Sequence, residues 1–288
     1  MKRLIVNADD FGVTRGVNRG IIRCHEDGIV TSTTIMANGD AFEDAVGLAR
    51  ARPQLGVGVH VTLVGGRATA SRSEIGELAD PKGDLPKTLY SLLRKSAAGR
   101  ITRQHIEREI RSQIERVLAA GIRPTHLDTH KHSHMYPTVM KALTSTAQSY
   151  AISKVRMPFE TFGAVLRSMG RMKLATLGRS TLVLSVQANR SHFRRYARAK
   201  ALHTPDHFFG FAITGELVRD GVLRILRALP DGTSELVCHP GYNDRDLDAQ
   251  PTRLKRERET EMAALTDTDV KKEIAARGIQ LISYRELN

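Results

Sequence analysis

Tryptophan is absent from the 288 residues, and aromatic residues together make up only 5% of them. Nucleic-acid readers commonly stack bases on aromatic rings, so this shortage argues against a nucleic-acid partner despite a net charge of +13. Acids are also scarce. The chain sets 31 Asp and Glu against 44 Lys and Arg, an excess that an anionic ligand or membrane leaflet would attract. Two cysteines, Cys24 and Cys238, are too few for a disulfide framework. No apolar run approaches the roughly 18 residues of a transmembrane helix. The opening Leu4-Ile5-Val6 turns polar at Asn7, short of a secretory apolar region, so a cytoplasmic location is expected. HExxH, paired CxxC, Walker A, a strand-linked GxGxxG and GxSxG are all missing. With them go the zincin, zinc-finger, P-loop, Rossmann and α/β-hydrolase readings.

What is present alternates. Arg3–Asn7, Val30–Met36, Gly56–Leu63, Thr125–His130, Lys154–Met157, Glu235–His239 and Ile279–Tyr284 read as strands. Between them, amphipathic periods with turn residues at their ends predict helices over Arg15–Asp27, Phe42–Ala51, Thr102–Ala120, Pro137–Ser149, Gly215–Leu229 and Glu257–Arg277. In the third of these, Ile106, Ile110, Ile114, Val117 and Leu118 form one stripe. Such crossovers favour a parallel α/β sheet, and about seven strands suit a barrel, open or closed, built as a single domain over 1–288.

Residues 160–205 break the pattern. They read as a helix-rich insertion with nine cations, among them Arg190, Arg194, Arg195 and Arg198, against the single acid Glu160, and apolar residues are interleaved throughout. This is the texture of a cap able to rest on an anionic membrane surface. A solvated basic insertion packed on the barrel is the plainer reading.

The chemistry-bearing residues lie at strand ends. Asp9-Asp10 follows a buried-looking apolar run, where paired carboxylates hold a cation or share acid–base duty unless they merely cap a turn. His60 shares its strand face with Gly56 and Gly58, which leaves room for a ligand or a close backbone approach. His126, Asp128, His130, His132 and His134 occupy alternate positions and would share one face if the segment were extended. Imidazoles and a carboxylate converging in this way are the ingredients of a metal site and its supporting residues. His239 closes an apolar strand before Pro240-Gly241, Cys238 beside it points into the core, and Arg156 is a further strand-end cation.

In their order along the chain, Asn7–Gly12, Thr31–Thr34, Gly58-Val59-His60, Thr125–His130, His132, His134-Met135, Cys238-His239-Pro240 and Ser283-Tyr284-Arg285 resemble the YdjC-like carbohydrate deacetylases. The overall texture looks most like the branch associated with hopanoid biosynthesis. The resemblance implies a distorted (β/α) barrel of about seven strands, akin to NodB-type deacetylases. It also implies a divalent metal, zinc preferred with magnesium open, on Asp10, His60 and His130. Asp9 would be the catalytic base, Arg156 the arginine steadying it, and His239 the general acid; the roles of Asp9 and Asp10 stay exchangeable. Asp128, His132 and His134 would support the ligands or touch substrate. Lys131 stands where the chitooligosaccharide branch commonly has a histidine.

The expected reaction is hydrolysis of the acetamide on an N-acetylglucosaminyl group. The substrate would be a bacteriohopane polyol glycolipid, with a chitobiose-type oligosaccharide as the alternative, and 160–205 would contact the anionic inner membrane face. A two-histidine, one-carboxylate set also describes non-haem iron oxygenases. A membrane- or nucleic-acid-binding module using the 160–205 cations is the rival from outside enzymes.

Overall fold

Lys2–Phe11 is rich in apolar residues, lacks glycine and proline, and forms β1 (Lys2–Phe11), the longest strand of the sheet. The computed structural model describes residues 1–161 and 188–288. β2 (Ser32–Ile35), β3 (Gly56–Val61), β4 (Leu127–Thr129), β5 (His207–Phe209), β6 (Gly232–Cys238) and β7 (Gln280–Leu281) complete the sheet. Its order is β4-β3-β2-β1-β6-β5, with β7 against the first half of β1 at Arg3 and Leu4. Every pairing is parallel.

The seven strands make an open, curled half-barrel, and among the described residues no ladder joins β4 to β5. Single bridges, Leu127 with Val155 and Lys154 with His203, extend the β4 edge. The expected strand Lys154–Met157 is thus reduced to bridging residues, while β5 was not anticipated. The curl brings the two edges face to face: the Arg156 guanidinium, beyond β4, lies 5.6 Å over the Phe208 ring on β5.

Strand alternation sorts side chains to two faces. Leu4, Val6 and Ala8 of β1, Val57, Val59 and Val61 of β3, and Leu127 of β4 enter the main core under the helices. Ile5 faces the concave side, where it packs with Ile282, Tyr284 and Leu287 of the final segment. Asn7, Asp9, His60, Asp128 and Glu235 are buried on the same parity, so the concave face is apolar at its base and charged toward the carboxyl ends of the strands.

Helices cover the convex face. Thr14 and Thr102 accept hydrogen bonds from Val17 N and His105 N, both at 3.2 Å, and so start Arg15–Glu26 and Arg103–Ala119. On the latter, Leu118 stays 38% exposed, whereas Glu109 and Gln113 are buried. Gln113 brackets Thr62 through its N–H and C=O, and Glu109 accepts from Thr69 N, which ties the loop after β3 to this helix. The expected helix Glu257–Arg277 is two helices, Glu257–Thr266 and Thr268–Ala276. They break at Asp267, whose side chain caps the second helix. The expected Gly215–Leu229 begins only at Arg219.

Of the 160–205 insertion, residues 162–187 lie outside the described residues, including Arg167, Arg171, Lys173 and Arg179. Ala188–Ala199 is helical and buries Phe193, and Arg190 and Arg194 donate to the Asp206 carbonyl just before β5. Among the described residues no helix is long and apolar enough to cross a membrane.

Gly58 does not open space for a ligand. A Cβ there would lie 2.5 Å from the His126 ring and 2.7 Å from the His126 carbonyl oxygen, so the room beside His60 is already filled. Gly58→Ala is therefore expected to lower unfolding stability by about 1–3 kcal/mol through overpacking, read from the urea midpoint at unchanged slope.

Candidate active site

Asp9 and Asp10 would point to opposite faces of a regular strand. The register of β1 on β2 slips between Ala8–Thr33 and Phe11–Ile35, three residues against two, which marks a β-bulge at the two acids. Asp10 takes φ 69°, left-handed and costly for a residue with a Cβ. The bulge turns the Asp10 carboxylate back to the concave side, so that Asp10 Oδ1 lies 3.6 Å and Asp9 Oδ2 4.0 Å from His60 Nε2.

A fully buried arginine anchors the cluster. Arg156 donates to both oxygens of Asp9 at 2.7 and 2.8 Å, reaches Asp128 Oδ2 at 2.6 Å and donates through Nε to Glu235 Oε1 at 2.9 Å. Burial alone would raise the Asp9 carboxyl, but the Arg156 charge, aided by His60 and His239, holds it far below the ordinary carboxylate range. Burial pushes Glu235 up to about 7 against the pull of Arg156, and Tyr284 donates to its free oxygen at 2.6 Å.

Three donor atoms converge beside this network. His130 Nδ1 is 3.3 Å from His60 Nε2 and 3.2 Å from Asp10 Oδ1. One ligand atom from each residue of the trio Asp10, His60 and His130 lies within 4.8 Å of the others. Donors each about 2.1 Å from a tetrahedral ion stand about 3.4 Å apart, so the observed 3.2, 3.3 and 3.6 Å suit one small divalent cation. His60 Nδ1 donates to Asp128 Oδ1 at 2.7 Å, which leaves Nε2 facing the trio. Arg258 occupies Asp10 Oδ2 at 2.6 Å, while Asp10 Oδ1 is buried with no hydrogen-bond partner. Asp9, His60 and Asp128 also lie close enough for an ion, but Arg156 already neutralises both of those acids.

The other sequence-marked residues divide. His239 follows β6, whose Cys238 is in register with Ala8, and its Nε2 is 3.9 Å from Asp9 Oδ2. Burial pushes its pKa down to about 4 although Asp9 and Asp10 oppose this, so the ring is neutral at pH 7. The extended reading of 126–134 ends at Thr129: Lys131 and His132 take φ 55° and 49° in a tight turn. His132 and His134 therefore leave the strand face. His132 packs edge-on to Phe208 and Phe211, and His134 bonds Thr129 Oγ1 and the Arg156 carbonyl oxygen. His126 stacks on Tyr284, with centroids 3.6 Å apart, and does not join the trio.

Arg258, Glu235 and Glu261 were not singled out in the sequence. The available signal was position. Arg258 and Glu261 share the inward stripe of Glu257–Thr266 with Met262 and Leu265, and Glu235 stands directly before the apolar Leu236-Val237-Cys238 of β6.

Carboxylates, imidazoles and a buried arginine gathered at the carboxyl ends of parallel strands define an enzyme of the α/β class. The chain belongs to the YdjC-like protein family, whose model matches residues 3–276. It is 35% identical over 283 residues to the carbohydrate deacetylase of Geobacillus stearothermophilus, covering 98% of this chain and 96% of that protein. Identity to the chitooligosaccharide deacetylase of Serratia marcescens is 30% over 293 residues, with 99% of each chain covered. A crystal structure from Enterococcus faecalis V583 superposes with a TM-score of 0.77 at 26% identity, covering 98% of this chain and 97% of that one.

Removing the guanidinium would leave three acids facing one another in the interior. Arg156→Gln is expected to cost about 3–5 kcal/mol of unfolding stability, measured by urea titration against Arg258→Gln, which strands only one acid.

Proposed function

We propose that the protein is a metal-dependent carbohydrate N-deacetylase that removes the acetyl group from an N-acetylglucosaminyl unit, with a glycosylated bacteriohopane polyol as the substrate. The protein is a hydrolytic deacetylase of the YdjC-like family. The observation that carries the proposal is the trio Asp10, His60 and His130 standing beside an Asp9 that is locked by Arg156. The glycolipid reading is supported by the basic, apolar-interleaved 160–205 segment and by the exposed Lys131 next to His130, where the chitooligosaccharide branch commonly has histidine.

Asp10, His60 and His130 would hold one divalent ion, zinc by its preference for imidazole donors, with magnesium the alternative. Once bound, such an ion polarises the amide carbonyl and lowers the pKa of water toward neutrality. Asp9 stays ionised throughout the physiological range because Arg156 grips both its oxygens, and it takes a proton from the attacking water. A carboxylate held so far down does not retain that proton. Its destination is His239 Nε2, the stronger base of the two, which one water would link to Asp9 Oδ2 across the 3.9 Å between them. The imidazolium then protonates the departing amine, a poor leaving group in its anionic form. Asp128 fixes the His60 ring, and His134 braces the Arg156 backbone.

Free-amine release from a glycosylated hopanoid and from chitobiose tests the reading, using chelated and zinc-reconstituted protein alongside Asp9→Asn. Zinc- and Asp9-dependent release from the hopanoid is expected. Release from chitobiose alone would move the substrate to soluble oligosaccharides, and release from neither would overturn the N-acetylglucosaminyl substrate in favour of a different acylated sugar.

The pH dependence of metal binding carries a defined sign. Burial opposes charge on His60, but Asp128, Asp9 and Asp10 outweigh it and push its pKa up to about 9, so below that pH an ion must displace a proton. Apparent zinc affinity should rise about tenfold per pH unit between pH 6 and 8, measured by chelator competition. His130→Ala should lower that affinity by a factor on the order of 100, and Asp9→Asn should leave the zinc stoichiometry intact.

A further inference from the structure

Among the described residues no hydrogen bond fixes the orientation of the His239 ring. Its Nδ1 is buried without a hydrogen-bond partner, and its Nε2 is 3.9 Å from Asp9, beyond hydrogen-bond reach. The ring is therefore aimed by the backbone that carries it. Two features constrain that backbone. Pro240 restricts His239 to extended conformations, and Glu261 Oε2 accepts from the His239 N–H at 2.5 Å. The other oxygen, Oε1, accepts from Gly215 N at 2.9 Å, which links the loop after β5 to the end of β6.

Glu261 lies one turn beyond Arg258 on Glu257–Thr266, and both side chains are buried. One helix thus grips the site twice, at Asp10 through Arg258 and at His239 through Glu261. The loop that follows His239 is pressed against a second helix. A Cβ on Gly20 would lie 2.4 Å from Gly241 Cα, so the loop is seated against that helix two residues beyond the N–H that Glu261 holds.

We infer that Glu261 is a positioning residue for proton delivery to the leaving amine, acting through the His239 backbone N–H that its carboxylate fixes. The inference rests on the deacetylase reading and on His239 as the proton donor. A displacement of about 1 Å at such a group costs on the order of 100-fold in rate, while the other contacts of the site are left in place.

The test exploits the leaving group. An amide needs its nitrogen protonated on departure, whereas 4-nitrophenolate leaves an acetate ester without help. Turnover of chitobiose, of the glycosylated hopanoid and of 4-nitrophenyl acetate is compared for wild type, His239→Ala, Glu261→Gln and Glu261→Asp, each loaded with zinc and checked for thermal stability. Glu261→Gln keeps the volume but turns an NH2 toward one of the two backbone N–H groups. Its amide kcat should fall on the order of 10-fold to 100-fold with KM unchanged, and its ester hydrolysis should stay within about twofold of wild type. Glu261→Asp, which keeps a carboxyl group, should regain part of the amide rate. Should Glu261→Gln not fold, Glu261→Asp carries the same comparison, with a smaller amide-selective loss expected.

Equal losses on amide and ester, or no loss, would overturn the positioning role. If His239→Ala shows no amide-selective loss, the proton-donor assignment fails first. If His239→Ala shows it and the Glu261 variants do not, only the present inference fails. Absence of amide hydrolysis by the wild type overturns both.

Discussion

A single buried guanidinium sets the terms for everything around it. Arg156 contacts Asp9 on β1, Asp128 on β4 and Glu235 on β6, so one side chain spans the concave face of a sheet in which, among the described residues, no ladder joins the edge strands. Three acids in a water-poor interior would repel one another and draw protons. With the guanidinium among them they become ordered acceptors, and the sheet gains a cross-brace where a closed barrel would have a ladder. The same contacts keep Asp9 ionised and Asp128 aligned on His60, so the brace and the chemistry share atoms.

The second constraint is the bulge in β1. Two adjacent acids on a regular strand cannot serve one site, and the left-handed Asp10 is the conformational cost of bringing them together. That cost is offset locally. Arg258 binds the carboxylate from one side, and Asn18 accepts from Gly12 N at 2.7 Å just beyond it. Strain of this kind persists where surrounding contacts over-determine it, and here they converge from the helices Arg15–Glu26 and Glu257–Thr266.

Much of this arrangement was legible in the chain. The alternation in β3 assigned His60 to the face opposite Val57, Val59 and Val61, and the structure keeps that assignment. Apart from β5, the alternation of strands and helices along the chain was also readable, because apolar periodicity records which face of each element is buried. Where reading failed, a local choice depended on distant partners. His132 and His134 looked like strand residues, yet a left-handed turn at Lys131 and His132 sends them among phenylalanines and against the Arg156 backbone. Of the two uses open to the glycine beside His60, room for a ligand or a close backbone approach, the structure takes the second, with the His126 carbonyl and ring against it. Asp267 breaks an otherwise continuous helical period because its side chain caps the next helix.

By itself the sequence determined the parallel α/β class, the strand face on which His60 lies, and the residue types from which a metal-binding hydrolytic site could be built. Those properties follow from local periodicity, which each segment carries alone. Tertiary structure decided which imidazoles meet which acid and that Arg156 lies at the centre of the site and not on the surface. It also decided that Arg258 and Glu261 reach in from the helix Glu257–Thr266, about 250 positions after Asp10 and separated from Pro240-Gly241 by the short helix Arg245–Ala249. Charge pairing across the fold depends on distances in space, and spacing along the chain does not encode them.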